Sequence, residues 1–179
     1  MGYLEYSRQP HDGPRAELRR LLTWENDDGR GRVIADAFAN FNRTYYAAVE
    51  HIRPDGERVV WAAVFIGNFT GKGAFGYKDM DETCGPNESE CPARILDLLT
   101  PTTSEWALSW RQRCRDNLAA KKAKTLRDGA RVILVDGVTY GGHSVFTARK
   151  TPHGWRFQIG DSGPAYKLPG ITSCIASVA

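Results

Sequence analysis

The sequence predicts an α+β protein: an N-terminal antiparallel sheet with helices and one long helix, followed by a small SH3-like β-barrel. Three observations predict it. Arg58–Phe69 (RVVWAAVFIGNF) is an almost wholly apolar run of strand formers, the pattern of a strand buried at the centre of a sheet. Residues from Pro101 to Leu126 carry apolar side chains at helical steps. From Ala130 onward the apolar period falls to two, the period of a half-buried strand. That change divides the chain into an α+β domain, residues 1–126, and a small barrel module, residues 127–179.

The elements follow in order. In Met1–Ser7, Tyr3, Glu5 and Ser7 alternate with Leu4 and Tyr6, which predicts a first strand. Pro10–Pro14 is a turn, with Asp12 or Gly13 placed to cap a helix that opens at Pro14. Ala16, Leu18, Leu21, Leu22 and Trp24 give that helix its apolar stripe, and Glu25–Gly31 (ENDDGRG) ends it. Arg32–Ile52 reads as one or two strands broken near Asn40–Asn42, with a helix over Asp36–Phe41 as the alternative. Arg53–Glu57 (RPDGE) is a turn, since proline presets φ and glycine accepts positive φ. Tyr45–Ile52 and Arg58–Phe65 therefore pair as a hairpin. After the glycine loop Gly67–Gly73, Ala74–Tyr77 returns as a strand. Pro92 opens a short helix, Ala93–Leu99, burying Ile95, Leu98 and Leu99.

Thr102 followed three residues later by Glu105 matches a capping box and starts the long helix. Trp106, Trp110, Cys114 and Leu118 form its stripe, beside Ala107, and Arg127–Gly129 stops it. Five short strands follow at Arg131–Val135, Ser144–Arg149, Trp155–Ile159, Ala165–Leu168 and Ile171–Ile175, punctuated by Gly, Pro and Asp turns. Their number and spacing suit a small, partly closed barrel.

Composition sets the outer limits. With 179 residues, 41% hydrophobic and 25% charged, the chain supports one domain, or one domain and a small module, with a real core. The net charge of +3 hides an asymmetry: residues 1–100 hold 12 Lys/Arg against 16 Asp/Glu, and residues 101–179 hold 12 against 5. An acidic half joined to a basic half points to a charged partner, or to two partners. There is no apolar run of the length a membrane span needs, so no membrane partner is expected. Glu5 and Arg8 precede any apolar run, unlike a secretory signal, and Tyr6 breaks the myristoylation pattern that Met1-Gly2 begins. A cytoplasmic placement is expected, with Cys84, Cys91, Cys114 and Cys174 as reduced thiols. Their spacing fits no zinc site, and no metal or cofactor is expected.

The stretch Gly73–Pro101 (GAFGYKDMDETCGPNESECPARILDLLTP) is the most distinctive in the chain. It passes from an aromatic run into Lys78, Asp79, Asp81 and Glu82, then a Cys-Gly-Pro turn, then Glu88 and Glu90. From Asp79 to Glu90 it contains no Lys or Arg. An acidic loop of this length between a strand and a helix is more often functional than idle. Together with the Trp/Arg-rich helix after it, FGYKDMDETCGPNESECPARILDLLTPT resembles a family of uncharacterised proteins of proteobacterial plasmids and prophages, known as a domain of unknown function. The resemblance runs from about Met1 to the helix end near Lys124. It implies an accessory role on a mobile element, of the anti-defence kind (anti-CRISPR or anti-restriction).

Three functional readings stand. The first is a non-catalytic binding protein that docks a host protein or ribonucleoprotein complex through Lys78, Asp79, Asp81, Glu82, Glu88 and Glu90. The second is a nucleic-acid-binding module using a basic ridge of Arg111, Arg115 and Lys122 on the long helix, with Tyr140, Phe146, Trp155 and Phe157 of the barrel as stacking surfaces. The third is an enzyme using Asp79, Asp81 or Glu82 as acid/base groups. The glycine loop is not a phosphate loop: its glycines are too close together, no Ser/Thr follows Lys72, and a strand comes next instead of a helix. No nucleophile elbow surrounds Ser144, and His11, His51, His143 and His153 are scattered. The oligomeric state is left open by these patterns.

Overall fold

The computed structural model describes residues 4–7, 13–67, 69, 75–160 and 162–179. Met1–Tyr3 of the expected first strand, the Asp12 cap, most of the glycine loop with Lys72, and Ala74 lie outside the described residues. The chain divides into two compact units, Met1–Leu118 and Ala119–Ala179. The division falls at 118/119, within the long helix, whereas the change of period puts it at 126/127.

The first unit is a six-stranded antiparallel sheet: β1 (Leu4–Ser7), β2 (Trp24–Asn26), β3 (Gly29–Ala39), β4 (Thr44–Ile52), β5 (Arg58–Gly67) and β6 (Phe75–Asp81), in the order β1-β6-β5-β4-β3-β2. The apolar β5 run is interior, as its sequence predicts. Helix α1 (Pro14–Leu21) covers one face, where Leu18, Leu22, Val33, Tyr45, Ala47, Val49 and Phe65 form a core. Helices α2 (Ala93–Leu96) and α3 (Glu105–Ala123) cover the other, where Tyr46, Ala48, Val64, Cys91, Ile95, Trp110 and Cys114 form a second core. Coverage on both faces explains why β4 is buried almost from end to end.

Several expectations are corrected. Helix α1 ends at Leu21, and Trp24 starts a strand. The ENDDGRG segment is the β2–β3 hairpin, in which Asp28 N–H donates to Asn26 Oδ1 at 3.0 Å. Gly31 is required there, because the Trp24 ring lies directly against it and a Cβ would stand 2.2 Å from ring carbon. Asp36 lies in β3, so the helical alternative for Asp36–Phe41 is not taken up. Its carboxylate, nearly buried, accepts from Tyr45 Oη at 2.8 Å and faces Arg19 at 3.4 Å, which ties α1 to the sheet. The break between β3 and β4 is at Asn40–Asn42, as predicted, with all three residues in left-handed conformation.

In the long helix the buried residues are Ala107, Trp110, Arg111 and Cys114. Trp106 is 68% exposed, because a step of four drifts off a stripe that needs alternating threes and fours. The capping box is not formed. Ser104 Oγ accepts from Ala107 N–H at 3.4 Å, and Thr102 Oγ1 accepts from Ser104 N–H at 3.2 Å. In α2, Leu96 is buried where Leu98 was expected, and Leu98 is exposed.

The second unit is an antiparallel five-stranded sheet: β7 (Arg131–Leu134), β8 (Val145–Thr151), β9 (Gly154–Gln158), β10 (Ala165–Tyr166) and β11 (Ile175–Val178), in the order β10-β9-β8-β7-β11. Ile171–Cys174, expected as strand, is a single 3-10 turn leading into β11. Val132, Leu134, Phe146, Ala148, Phe157, Ile171 and Ile175 form its core.

Candidate functional site

The acidic stretch folds as three pieces with different duties. Its first part is strand: β6 extends to Asp81, so Lys78, Asp79 and Asp81 lie in the sheet and not in the expected loop. Asp79 stands opposite Phe65 and Asp81 opposite Ala63. Directly opposed residues share a face, so both carboxylates lie on the α1 side. Lys78, half-buried, pairs with Ile66 and with Leu4 of β1 and belongs to the other face.

The second piece is a 3-10 turn, Glu82–Cys84, capped by Asp81. Its Oδ1 accepts from Thr83 N–H at 2.6 Å and Cys84 N–H at 3.3 Å. Gly85 closes the turn with φ 62°, and its N–H donates to Glu82 O at 3.1 Å. The left-handed conformation favours glycine. So does space, since a Cβ there would stand 2.9 Å from the Trp106 ring.

Glu82 points inward. The residue is 2% exposed and its carboxylate forms a two-pronged ion pair with Arg111, Nε to Oε2 at 2.5 Å and Nη2 to Oε1 at 2.7 Å. Oε1 also accepts from Ala62 N–H at 3.3 Å, and Arg111 Nη1 donates to Thr100 O at 2.8 Å. The purpose is visible in the register. β6 pairs with β5 only from Ala63 to Gly67, leaving the edge of β5 before Ala63 without a strand. Glu82 takes the Ala62 N–H, while Thr100 Oγ1 accepts from Val60 N–H at 2.7 Å and Thr100 N–H donates to Val60 O at 2.9 Å. Buried backbone groups need such partners. Two expectations are thereby revised: Glu82 is not part of a docking surface, and Arg111 is not part of a phosphate-tracking ridge.

The third piece, Pro86–Glu90, lies along α3 on the opposite side of the sheet from Asp79 and Asp81. Trp110 Nε1 donates to Glu88 O at 2.8 Å, Arg113 Nη2 to Pro86 O at 2.7 Å, and Asn117 Nδ2 to Ser89 Oγ at 2.8 Å. Glu90 N–H donates to Tyr46 Oη at 3.1 Å. The six expected docking residues thus do not form one surface: the sheet separates Asp79 and Asp81 from Glu88 and Glu90.

Asp79 and Asp81 border a recess of about 280 Å³ on the α1 face. Leu22, Trp61, Ala63 and Phe65 line it with apolar surface, and Cys84 lies at its margin. Asp79 is exposed, and no hydrogen bond or ion pair engages its carboxylate among the described residues. An apolar recess with carboxylates at its border accepts the stem and head of a basic side chain, which buries its methylenes and keeps its charge at a polar rim. For acid/base chemistry the cluster is poorly supplied, because Glu82 is held by Arg111 and Asp81 by the turn it caps. A further hollow of about 430 Å³ lies at the far end of the sheet, among Trp24, Arg30, Arg32 and Glu50.

Arg115 and Lys122 are exposed on α3, while Arg111 is buried. The aromatics expected to stack on bases are engaged elsewhere: Phe146 and Phe157 are core, Trp155 packs against that core, and Tyr140 Oη donates to Pro169 O at 2.9 Å. Cys91 and Cys114 are fully buried, and burial pushes the Cys91 thiol far up and the Cys114 thiol to about 11. Among the described residues no group of His, Cys, Asp and Glu is arranged to hold a metal ion, and no helix is long and apolar enough to cross a membrane.

A family model described as a domain of unknown function (DUF6927) matches residues 101–171. The match covers α3 and the second unit as far as its 3-10 turn, less than half of the chain. It leaves out the acidic motif before Pro101, and its description carries no chemistry and no plasmid or prophage setting. No curated protein and no solved structure matches the chain.

Proposed function

We propose that this is a non-catalytic binding protein whose first unit receives a basic side chain, Arg or Lys, from a partner protein. The observation that carries the reading is the recess on the α1 face. It joins an apolar lining of Trp61 and Phe65 to the carboxylates of Asp79 and Asp81, with Asp79 unengaged. Charge complementarity at such a rim speeds association and fixes register. The partner class is the one the motif's resemblance implies: a host protein or ribonucleoprotein complex of a defence system, occupied by a mobile-element protein in the cytoplasm. The strand order of the second unit, with a 3-10 turn before the last strand, supports an SH3-like assignment for it.

The test is capture of partners by the immobilised protein from nuclease-treated host lysate, followed by affinity measurement on the isolated complex. Asp79→Lys is expected to weaken binding at least about tenfold, the equivalent of one charge-assisted hydrogen bond. Asp81→Asn, which keeps an oxygen to cap the turn, is expected to weaken it less. Neither change moves the melting temperature much, because Asp79 is exposed and the asparagine at 81 retains the capping oxygen. Capture that is indifferent to Asp79→Lys sinks the proposal.

A further inference from the structure

The second unit has an excess of positive charge that its own fold does not neutralise. Residues 119–179 contain nine Lys/Arg, three Asp and no Glu. Much of this excess sits on a single sheet face. Val132, Phe146, Ala148 and Phe157 point into the core, so the alternate residues Arg131, Thr147, Arg149, Arg156 and Gln158 occupy the opposite face. The register sets Arg149 directly opposite Arg156, and Arg131 opposite Thr147 in the next row. Like charges directly opposed on one face are destabilising. No carboxylate among the described residues relieves any of the three.

One of them is held in position. Gln158, 6% exposed, accepts from Arg149 Nε at 2.9 Å through Oε1 and donates to Gly163 O at 3.0 Å through Nε2. Among the described residues, no hydrogen bond or ion pair engages the two terminal nitrogens of Arg149. Arg149 is half-buried, and its guanidinium lies beside the Gly129 turn, where an added Cβ would stand 3.7 Å from Nη1, in ordinary van der Waals contact.

We infer that this face, centred on Arg131, Arg149 and Arg156, binds the phosphodiester backbone of nucleic acid. A sheet face with three cations in adjacent rows fits an extended polyanion, whose charges repeat, better than a small ligand, which calls for a concave site. Strands stand about 5 Å apart, and same-face neighbours along a strand about 7 Å, so the arginines span more than one phosphate. No exposed aromatic joins them on that face, so binding is read from the backbone and is tolerant of sequence. The inference moves nucleic-acid contact away from the α3 ridge and the barrel aromatics. It is independent of the recess in the first unit.

Fluorescence anisotropy of the full chain with a labelled single strand and a labelled duplex, from about 50 to 200 mM salt, tests it. The parent is expected to bind at the lowest salt. The Arg131→Gln/Arg149→Gln/Arg156→Gln variant is expected to flatten the log–log salt slope by about 2 on a single strand, or nearly 3 on a duplex, from about 0.7 or 0.9 per lost contact. Whichever probe binds more tightly identifies the form of backbone recognised. Arg156→Gln alone removes the like-charge opposition, so it keeps or raises the melting temperature while reducing the slope by one contact; it serves if the triple variant does not fold. Absence of parental binding at low salt, or an unchanged slope in Arg156→Gln, overturns the inference. So does a loss confined to anionic phosphatidylserine vesicles, which would make the face a lipid contact.

Discussion

At the scale of single residues, the decisive contact is Glu82 with Arg111. Removing one partner of a buried pair leaves the other charge stranded, at a cost of about 3–5 kcal/mol. Glu82→Gln and Arg111→Met should each lower unfolding free energy by about that much in urea titrations. The double variant should lose less than the sum, because neither charge is then left alone. Glu50 gives a pH-dependent counterpart. It is 3% exposed and paired with Arg32 at 2.6 Å and with Arg58. The hydrogen bond from Arg32, reinforced by Arg58, holds its pKa below the usual carboxylate range. A depressed folded-state pKa contributes stability that is present above the unfolded value of about 4.3 and is lost as pH falls through the folded one. The stability gap between parent and Glu50→Gln, measured across a pH series, should therefore close as the pH is lowered through that window.

At the scale of elements, two turns make separate predictions. Gly85 meets both a positive φ and the Trp106 ring. Gly85→Ala should cost at least about 1–2 kcal/mol from the left-handed conformation alone, and Gly85→Ala in a Trp106→Ala background should cost less. In the β3–β4 connection Phe41 has φ 54° and is 94% exposed, so the conformation is unfavourable and the side chain gains no packing. Phe41→Asn should raise stability by up to about 1 kcal/mol, since asparagine tolerates that region best among residues with a side chain. A lower melting temperature for Phe41→Asn would show that the tip is fixed by something other than its own conformation. The elements themselves were mostly legible from the sequence. β4, β5, α1 and α3 follow from apolar period, and the strand break at Asn40–Asn42 from residue type. The β2–β3 hairpin was not legible, because Trp24 continues the spacing of α1 and its packing on Gly31 joins residues on different strands.

At the scale of the whole molecule, thiol reactivity reports on the layers. Cys84 is exposed, Cys174 is partly exposed, and Cys91 and Cys114 are sealed between the sheet and its helices. With an aromatic disulfide reagent at neutral pH, Cys84 should react first and Cys174 more slowly. Cys91 and Cys114 should react only at the rate of global unfolding of their core, because a buried thiol of raised pKa offers almost no thiolate. Fast modification of all four thiols in native protein would contradict the double-faced sheet.

The sequence by itself determined the α+β class, the central place of β5, the long helix and the switch to short strands after Ala130. These depend on local periodicity, and periodicity is written in consecutive residues. It also marked the acidic stretch as the chain's most unusual feature. Only the tertiary structure decided what each acidic residue does. Alternation along β6 sends Asp79 and Asp81 to one face of the sheet. The unpaired edge of β5 draws Glu82 inward to Arg111, while Trp110 of α3 and Tyr46 of β4 fasten Glu88 and Glu90 on the far side through their backbone. Charges adjacent in sequence are thereby parted, while Arg149 and Arg156, seven residues apart in the chain, are set face to face. Which charges meet is a matter of register and of which backbone groups lack a strand, and both arise only when the sheet assembles.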